Sequence, residues 1–109
     1  MKDPRTEAQV SRDIVKFLRE LGFGVWSVEQ GYRKDAGGTR QTPGIPDLIV
    51  MGKGHFTFAE IKRDGGKLRP AQVVFKDECI ASGVPWQLWR STHDAMDWLI
   101  AVGYLEEKT

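Results

Sequence analysis

Residues 43–62, PGIPDLIVMGKGHFTFAEIK, constrain this chain more than any other stretch. Two apolar runs, 48–51 and 56–59, flank the turn-forming triplet Gly52-Lys53-Gly54, so the segment reads as a β-hairpin. Asp47 opens the first run, and Glu60-Ile61-Lys62 closes the second. Side chains alternate along a strand, so Glu60 and Lys62 share a face with Phe56 and Phe58. The turn decides where Asp47 goes. A two-residue turn at Lys53-Gly54 pairs Gly52 with His55 and sets Asp47 opposite Glu60, on the face of Lys62. A three-residue turn pairs Asp47 with Ala59 and puts the two acids on opposite faces.

Two carboxylates side by side at the ends of apolar strands repel one another and resist desolvation. A divalent cation between them relieves both costs. A shared Asp/Glu pair suits Mg²⁺, with Mn²⁺ as a substitute, rather than zinc. Lys62 would bring its charge to the same pocket. Metal and lysine beside a phosphate are the equipment for phosphodiester hydrolysis. The bland alternative is a surface ion pair of Glu60 and Lys62 on an edge strand.

Gly44-Ile45-Pro46-Asp47 followed by Glu60-Ile61-Lys62 resembles the PD-(D/E)XK nuclease signature. Over nearly its full length the chain is similar to the small stand-alone VRR-NUC branch of that superfamily. The shared order is an N-terminal helix with an early Glu, the G-x-P-D-L turn, E-x-K, then a helix starting P-x-Q. The resemblance implies an α/β fold with a restriction-endonuclease-like core, a mixed sheet of about four strands flanked by helices. It implies a metal-dependent DNA endonuclease acting on four-way (Holliday) or other branched junctions. It assigns Glu7, Asp47, Glu60 and the Ile61 backbone carbonyl to the metal, Lys62 to the attacking water and the phosphate, and Gln72 to orienting Lys62. One departure is visible. Such proteins often carry Ser before the Pro of the second helix, and here it is Arg69, which bears on the helix cap and not on the chemistry.

The 109 residues suit a single domain spanning 1–109. With 40% hydrophobic and 28% charged residues the composition is that of a globular protein. No run is long enough to span a membrane, and no secretory hydrophobic region opens the chain, so an intracellular, DNA-associated protein is expected. The single cysteine, Cys79, excludes an intrachain disulfide and a Cys-rich zinc site. A net charge of only +1 means that any nucleic-acid surface must come from local clustering.

The spacing predicts a helix over about 4–21, capped by Asp3 with Pro4 in its first position. Val10, Ile14, Phe17, Leu18 and Leu21 form its apolar stripe. Glu7 falls on that stripe and is expected to face inward; otherwise it is a first-turn acid that suits the helix dipole. Arg12, Lys16 and Arg19 lie elsewhere. Residues 24–30 read as a strand. Residues 31–42 lack periodicity and hold Arg33, Lys34 and Arg40, either a solvated connection or an arm on a phosphate backbone. Lys67 and Arg69 join them as DNA contacts in the basic stretch 62–69, where Gly65-Gly66 lets backbone approach a phosphate.

A second helix is predicted over 70–82, with Gln72 on an inward stripe with Phe75 and Cys79. A strand follows at 86–89. Ser91 and Asp94 resemble a capping box for a last helix whose apolar face is Met96, Leu99 and Ile100. Trp98 lies off that face and is expected to be exposed. His55 and His93 lack metal-ligand spacing and read as surface residues.

These elements favour one mixed sheet flanked by helices. Three functional readings follow: a metal-dependent endonuclease selective for branched DNA, a non-catalytic nucleic-acid-binding module on the same fold, and a duplex-cutting or RNA-cutting nuclease. A homodimer is expected as the working unit, because a four-way junction offers two symmetry-related strands to one carboxylate cluster. Four tryptophans are also more than a core of this size needs.

Overall fold

The computed structural model describes residues 3–28, 34–35, 38–39 and 43–107. The first helix, α1, spans Glu7–Glu20 and starts three residues later than the sequence suggested. Its cap is Thr6, not Asp3. The Thr6 hydroxyl accepts from Gln9 N at 3.1 Å and the Gln9 side chain accepts from Thr6 N at 2.8 Å. This box satisfies two orphan donors at once. Asp3 is engaged instead by Arg5, 2.7 Å away. Val10, Ile14 and Leu18 are buried as expected, and Gly22, with φ of 91°, turns the chain into the sheet.

The remaining elements are β1 (Gly24–Ser27), β2 (Lys34–Asp35), β3 (Gly38–Thr39), β4 (Leu48–Gly52), β5 (His55–Ile61), α2 (Pro70–Ser82), β6 (Trp86–Trp89) and α3 (Thr92–Ala101). The sheet order is β1-β4-β5-β6, antiparallel except for β6, which runs parallel to β5 after the α2 crossover. This is the mixed four-stranded α/β sheet that the sequence predicted. In the stretch read as aperiodic, β2 and β3 pair as a separate two-stranded unit.

The hairpin takes the two-residue turn. Gly52 pairs with His55 and Leu48 with Ala59. Lys53 and Gly54 have φ of 55° and 83°, the doubly left-handed turn that matches strand twist. Asp47, one residue before the ladder begins, therefore reaches the level of Glu60.

The sheet has two unlike faces. Val25, Leu48, Val50, Thr57, Ala59, Ile61 and Trp89 are buried on the face that α1 and α3 cover. Here the structure corrects the reading of α3. Its buried residues are Ala95, Trp98 and Leu99. Trp98 packs against Phe23 and Trp89, with ring centroids 6.2 and 5.9 Å apart. Spacing 95/98/99/102 is the true helical stripe, and a large ring gains more from burial than Met96 or Ile100. His55 is half-buried, edge-on to Trp98, rather than a surface residue; His93 is exposed as expected.

On the other face α2 covers β5 and β6. Phe75 meets Phe58 at 5.3 Å, Cys79 is buried, and Lys76 lies over the Trp86 ring. Trp26 of β1 and Met51 of β4 share that face but remain 61% and 43% exposed. Among the described residues, no helix is long and apolar enough to cross a membrane.

Candidate active site

Asp47 is delivered by a turn that leans on α2. Gly44 has φ of 81°, and a Cβ there would lie 2.2 Å from the Ala71 carbonyl oxygen. Pro46 beyond it is fully buried. The Asp47 carboxylate accepts from Ile61 N at 2.8 Å, and its backbone carbonyl accepts from Val28 N at 2.8 Å. Asp47 is thereby tied to β5 by its side chain and to the end of β1 by its backbone.

Glu60 is 1% exposed. One carboxylate oxygen accepts from Gln72 Nε2 at 3.0 Å; the other, Oε2, is buried with no partner among the described residues. Burial first, then the adjacent Asp47 carboxylate, push the Glu60 carboxyl up to about 8. The Lys62 charge opposes that rise and the Glu7 charge adds to it.

Lys62 is 8% exposed, with its backbone N donating to Trp89 O. Its ammonium lies 3.9 Å from Glu7 Oε1. Glu7 is therefore at the site, but it is not buried: its side chain is half exposed. A third carboxylate sealed beside Asp47 and Glu60 would face like charge without water, whereas at the rim it is solvated and faces a cation. Gln72 also departs from expectation. It contacts Glu60, not Lys62, and its carbonyl oxygen accepts from Arg69 N at 2.7 Å. A guanidinium has no acceptor to offer a helix start, so Gln72 supplies the cap interaction that Arg69 cannot.

Among the described residues, no three His, Cys, Asp or Glu side chains converge closely enough to hold a metal ion. The convergent pair is Asp47 and Glu60. Their hard oxygens, one of them buried and unsatisfied, fit a divalent cation of the Mg²⁺ type.

No family model matches the sequence, and no curated protein does. Among solved structures, a VRR_NUC domain superposes with a TM-score of 0.63 over 92% of this chain and 100% of that one, at 23% identity. The chain has the fold of a VRR_NUC domain.

Within this VRR_NUC fold, one structural residue had no signal in the sequence. Arg90, between β6 and α3, donates from Nη1 to the carbonyl oxygens of Arg63 at 3.0 Å and Gly66 at 2.7 Å. Its own N donates to Asp94 at 2.8 Å. Arg90 thus staples the loop that carries Arg63, Lys67 and Arg69 to the start of α3. A lone Arg after a strand belongs to no recognisable pattern. Lys67 and Arg69 are exposed, and Arg69 adjoins the site through Gln72. Lys34 stands in β2, while Arg33 and Arg40 lie outside the described residues.

Proposed function

We propose that the chain is a Mg²⁺-dependent endonuclease that hydrolyses phosphodiester bonds in branched DNA, four-way junctions foremost. The observation that carries this reading is Glu60. A glutamate buried to 1% beside a second carboxylate, with one oxygen unpartnered among the described residues, is costly unless something else uses it.

Asp47 and Glu60 would hold the cation, with the Ile61 carbonyl and Glu7 completing its shell; Mn²⁺ would substitute. The bound cation would polarise the scissile phosphate and lower the pKa of an adjacent water. Lys62 positions that water and stabilises charge that grows on the phosphate. Glu7, across from the Lys62 ammonium, keeps it aimed. Gln72 fixes the rotamer of Glu60. Lys67 and Arg69, with Arg33, Lys34 and Arg40, would contact the phosphate backbone and give affinity without reading sequence. Such a protein would work inside the cell, on DNA. A second copy of the chain would supply the second cut, and Trp26 and Met51 are among the exposed apolar residues available for that association.

The test is side-by-side digestion of four-way junction, flap, plain duplex and RNA in Mg²⁺ and in EDTA. Metal-dependent cutting of the branched substrates is expected. Preference for duplex or RNA would reassign the substrate. One observation favours a second reading, a binding module that kept the fold: among the described residues, no third carboxylate closes on Asp47 and Glu60. Junction binding with no cutting in either metal would support it.

A further inference from the structure

Along α1, the helix and the outer edge of β1 flank an open groove of about 790 Å³. Arg12, Lys16 and Arg19 line it, and Glu20 is the one acid among its described lining residues. A second hollow of about 280 Å³ shares Ala8, Ser11 and Ser27 with the first and is closed by Glu7 and Asp47. The two hollows adjoin, in line from Asp47 along α1.

The cations are set for a ligand from outside. Arg12 and Lys16 are exposed and have no ion-pair partner among the described residues. The nearby Asp13 is occupied by Arg5 at 2.9 Å. Arg19 donates to the Val25 carbonyl at 3.0 Å, which anchors it at the sheet edge. From Ala8 to Arg19 the helix rises roughly 16 Å, the length of about five stacked nucleotides. The groove is open along its length, bounded by α1 on one side and the edge of β1 on the other, so a strand can lie in it without threading. Among the described residues it presents no aromatic ring on which bases could stack, and what it recognises is the charged backbone.

We infer that the α1–β1 groove is a track for one unpaired nucleic-acid strand, which holds its phosphates with Arg12, Lys16 and Arg19 and leads it to Asp47. The inference rests on the nuclease reading and extends its substrates to branched DNA with a single-stranded arm at the cut site. The track is indifferent to base sequence.

The experiment measures binding by the full chain in EDTA, so that cleavage plays no part. The probes are a forked duplex with one single-stranded arm and a blunt duplex of the same sequence, each read by fluorescence anisotropy across a salt series. In the variant R12Q/K16Q, affinity for the fork should fall roughly tenfold near 0.1 M salt, and the slope of log K against log salt should shrink by about 1.4, some 0.7 per lost contact on a single strand. Blunt-duplex binding should be unchanged. Arg19 is left intact because it ties α1 to β1, and an unchanged melting temperature confirms folding. The reversal variant R12E/K16E should deepen the loss on the fork alone.

An unchanged fork affinity and slope overturns the track, and so does an equal loss on both probes. Wild-type protein that cuts junctions while R12Q/K16Q binds the fork normally sinks the track and leaves the nuclease standing. Selective loss on the fork by a chain that cuts nothing in Mg²⁺ does the reverse.

Discussion

Gln72 Nε2 donates to Glu60 Oε1 at 3.0 Å, so the first turn of α2 is bonded directly to the buried carboxylate of β5. The same amide caps the helix by accepting from Arg69 N. Replacing Gln72 with Leu removes both bonds and leaves Glu60 with two unpartnered oxygens. The expected cost is about 1–3 kcal/mol of stability, read by urea unfolding, together with roughly tenfold weaker Mg²⁺ binding by calorimetry. If Gln72→Leu alters neither, the amide does not position Glu60.

Glu60→Gln and Asp47→Asn keep shape and remove charge. Both should lose cleavage by at least about a hundredfold while junction binding survives. Lys62→Ala should lose cleavage with metal affinity largely kept. Wild-type rates in either carboxylate variant, on preparations free of wild-type protein, would remove these residues from the metal. An unfolded Lys62→Ala would mark the lysine as structural.

The pH dependence has a definite sign. Glu60 has its pKa raised from 4.5 to about 8 by folding, chiefly through burial. The folded chain therefore holds a proton that the unfolded chain releases. The associated stability is full below about pH 4.5 and is lost as pH rises through about 8. Metal-free protein should be measurably less stable to urea at pH 8 than at pH 5. Added Mg²⁺ should restore stability at pH 8 by binding the ionised pair. Glu60→Gln should flatten the pH dependence in this window. A metal-free wild type that gains stability across the window would contradict the assignment.

How much of this site could be read from the sequence follows from the range of each interaction. The hairpin is local: two residues able to take left-handed φ fix its register, and the register sets Asp47 level with Glu60. Gln72 was visible because helical spacing aligned it with Phe75 and Cys79, though its partner was not. Spacing alone did not rank Trp98 against Met96, since both orientations leave an apolar stripe and the choice falls to the rings of Phe23 and Trp89. Asp3 and Thr6 competed for one cap, and Gln9 decided between them through a reciprocal bond. Arg90 joins segments more than twenty residues apart through backbone carbonyls, which leave no trace in the side-chain pattern.

The dimer expectation moves from Trp98 to Trp26. Sedimentation at micromolar concentration, free and with junction, should give a two-chain species, and Trp26→Ser should shift it toward monomer without lowering the melting temperature. A monomer in both states that still makes paired, symmetric cuts would refute the dimer.

Neutralising Lys67, Arg69, Arg33, Lys34 or Arg40 singly should weaken binding to all duplex sequences alike. Each loss should flatten the dependence of log K on log salt by about 0.9. A variant whose slope is unchanged does not touch a phosphate.

Gly44 meets the Ala71 carbonyl backbone to backbone. This has a genetic consequence. Most damaging substitutions in a packed interior can be relieved by trimming the neighbour that collides with them. Here the collision is with a main-chain oxygen that every residue type carries, and φ at 44 favours glycine besides. A screen for intragenic suppressors of Gly44→Ala should therefore return true revertants almost exclusively. By contrast, a screen begun from a truncated core side chain should find compensating substitutions nearby.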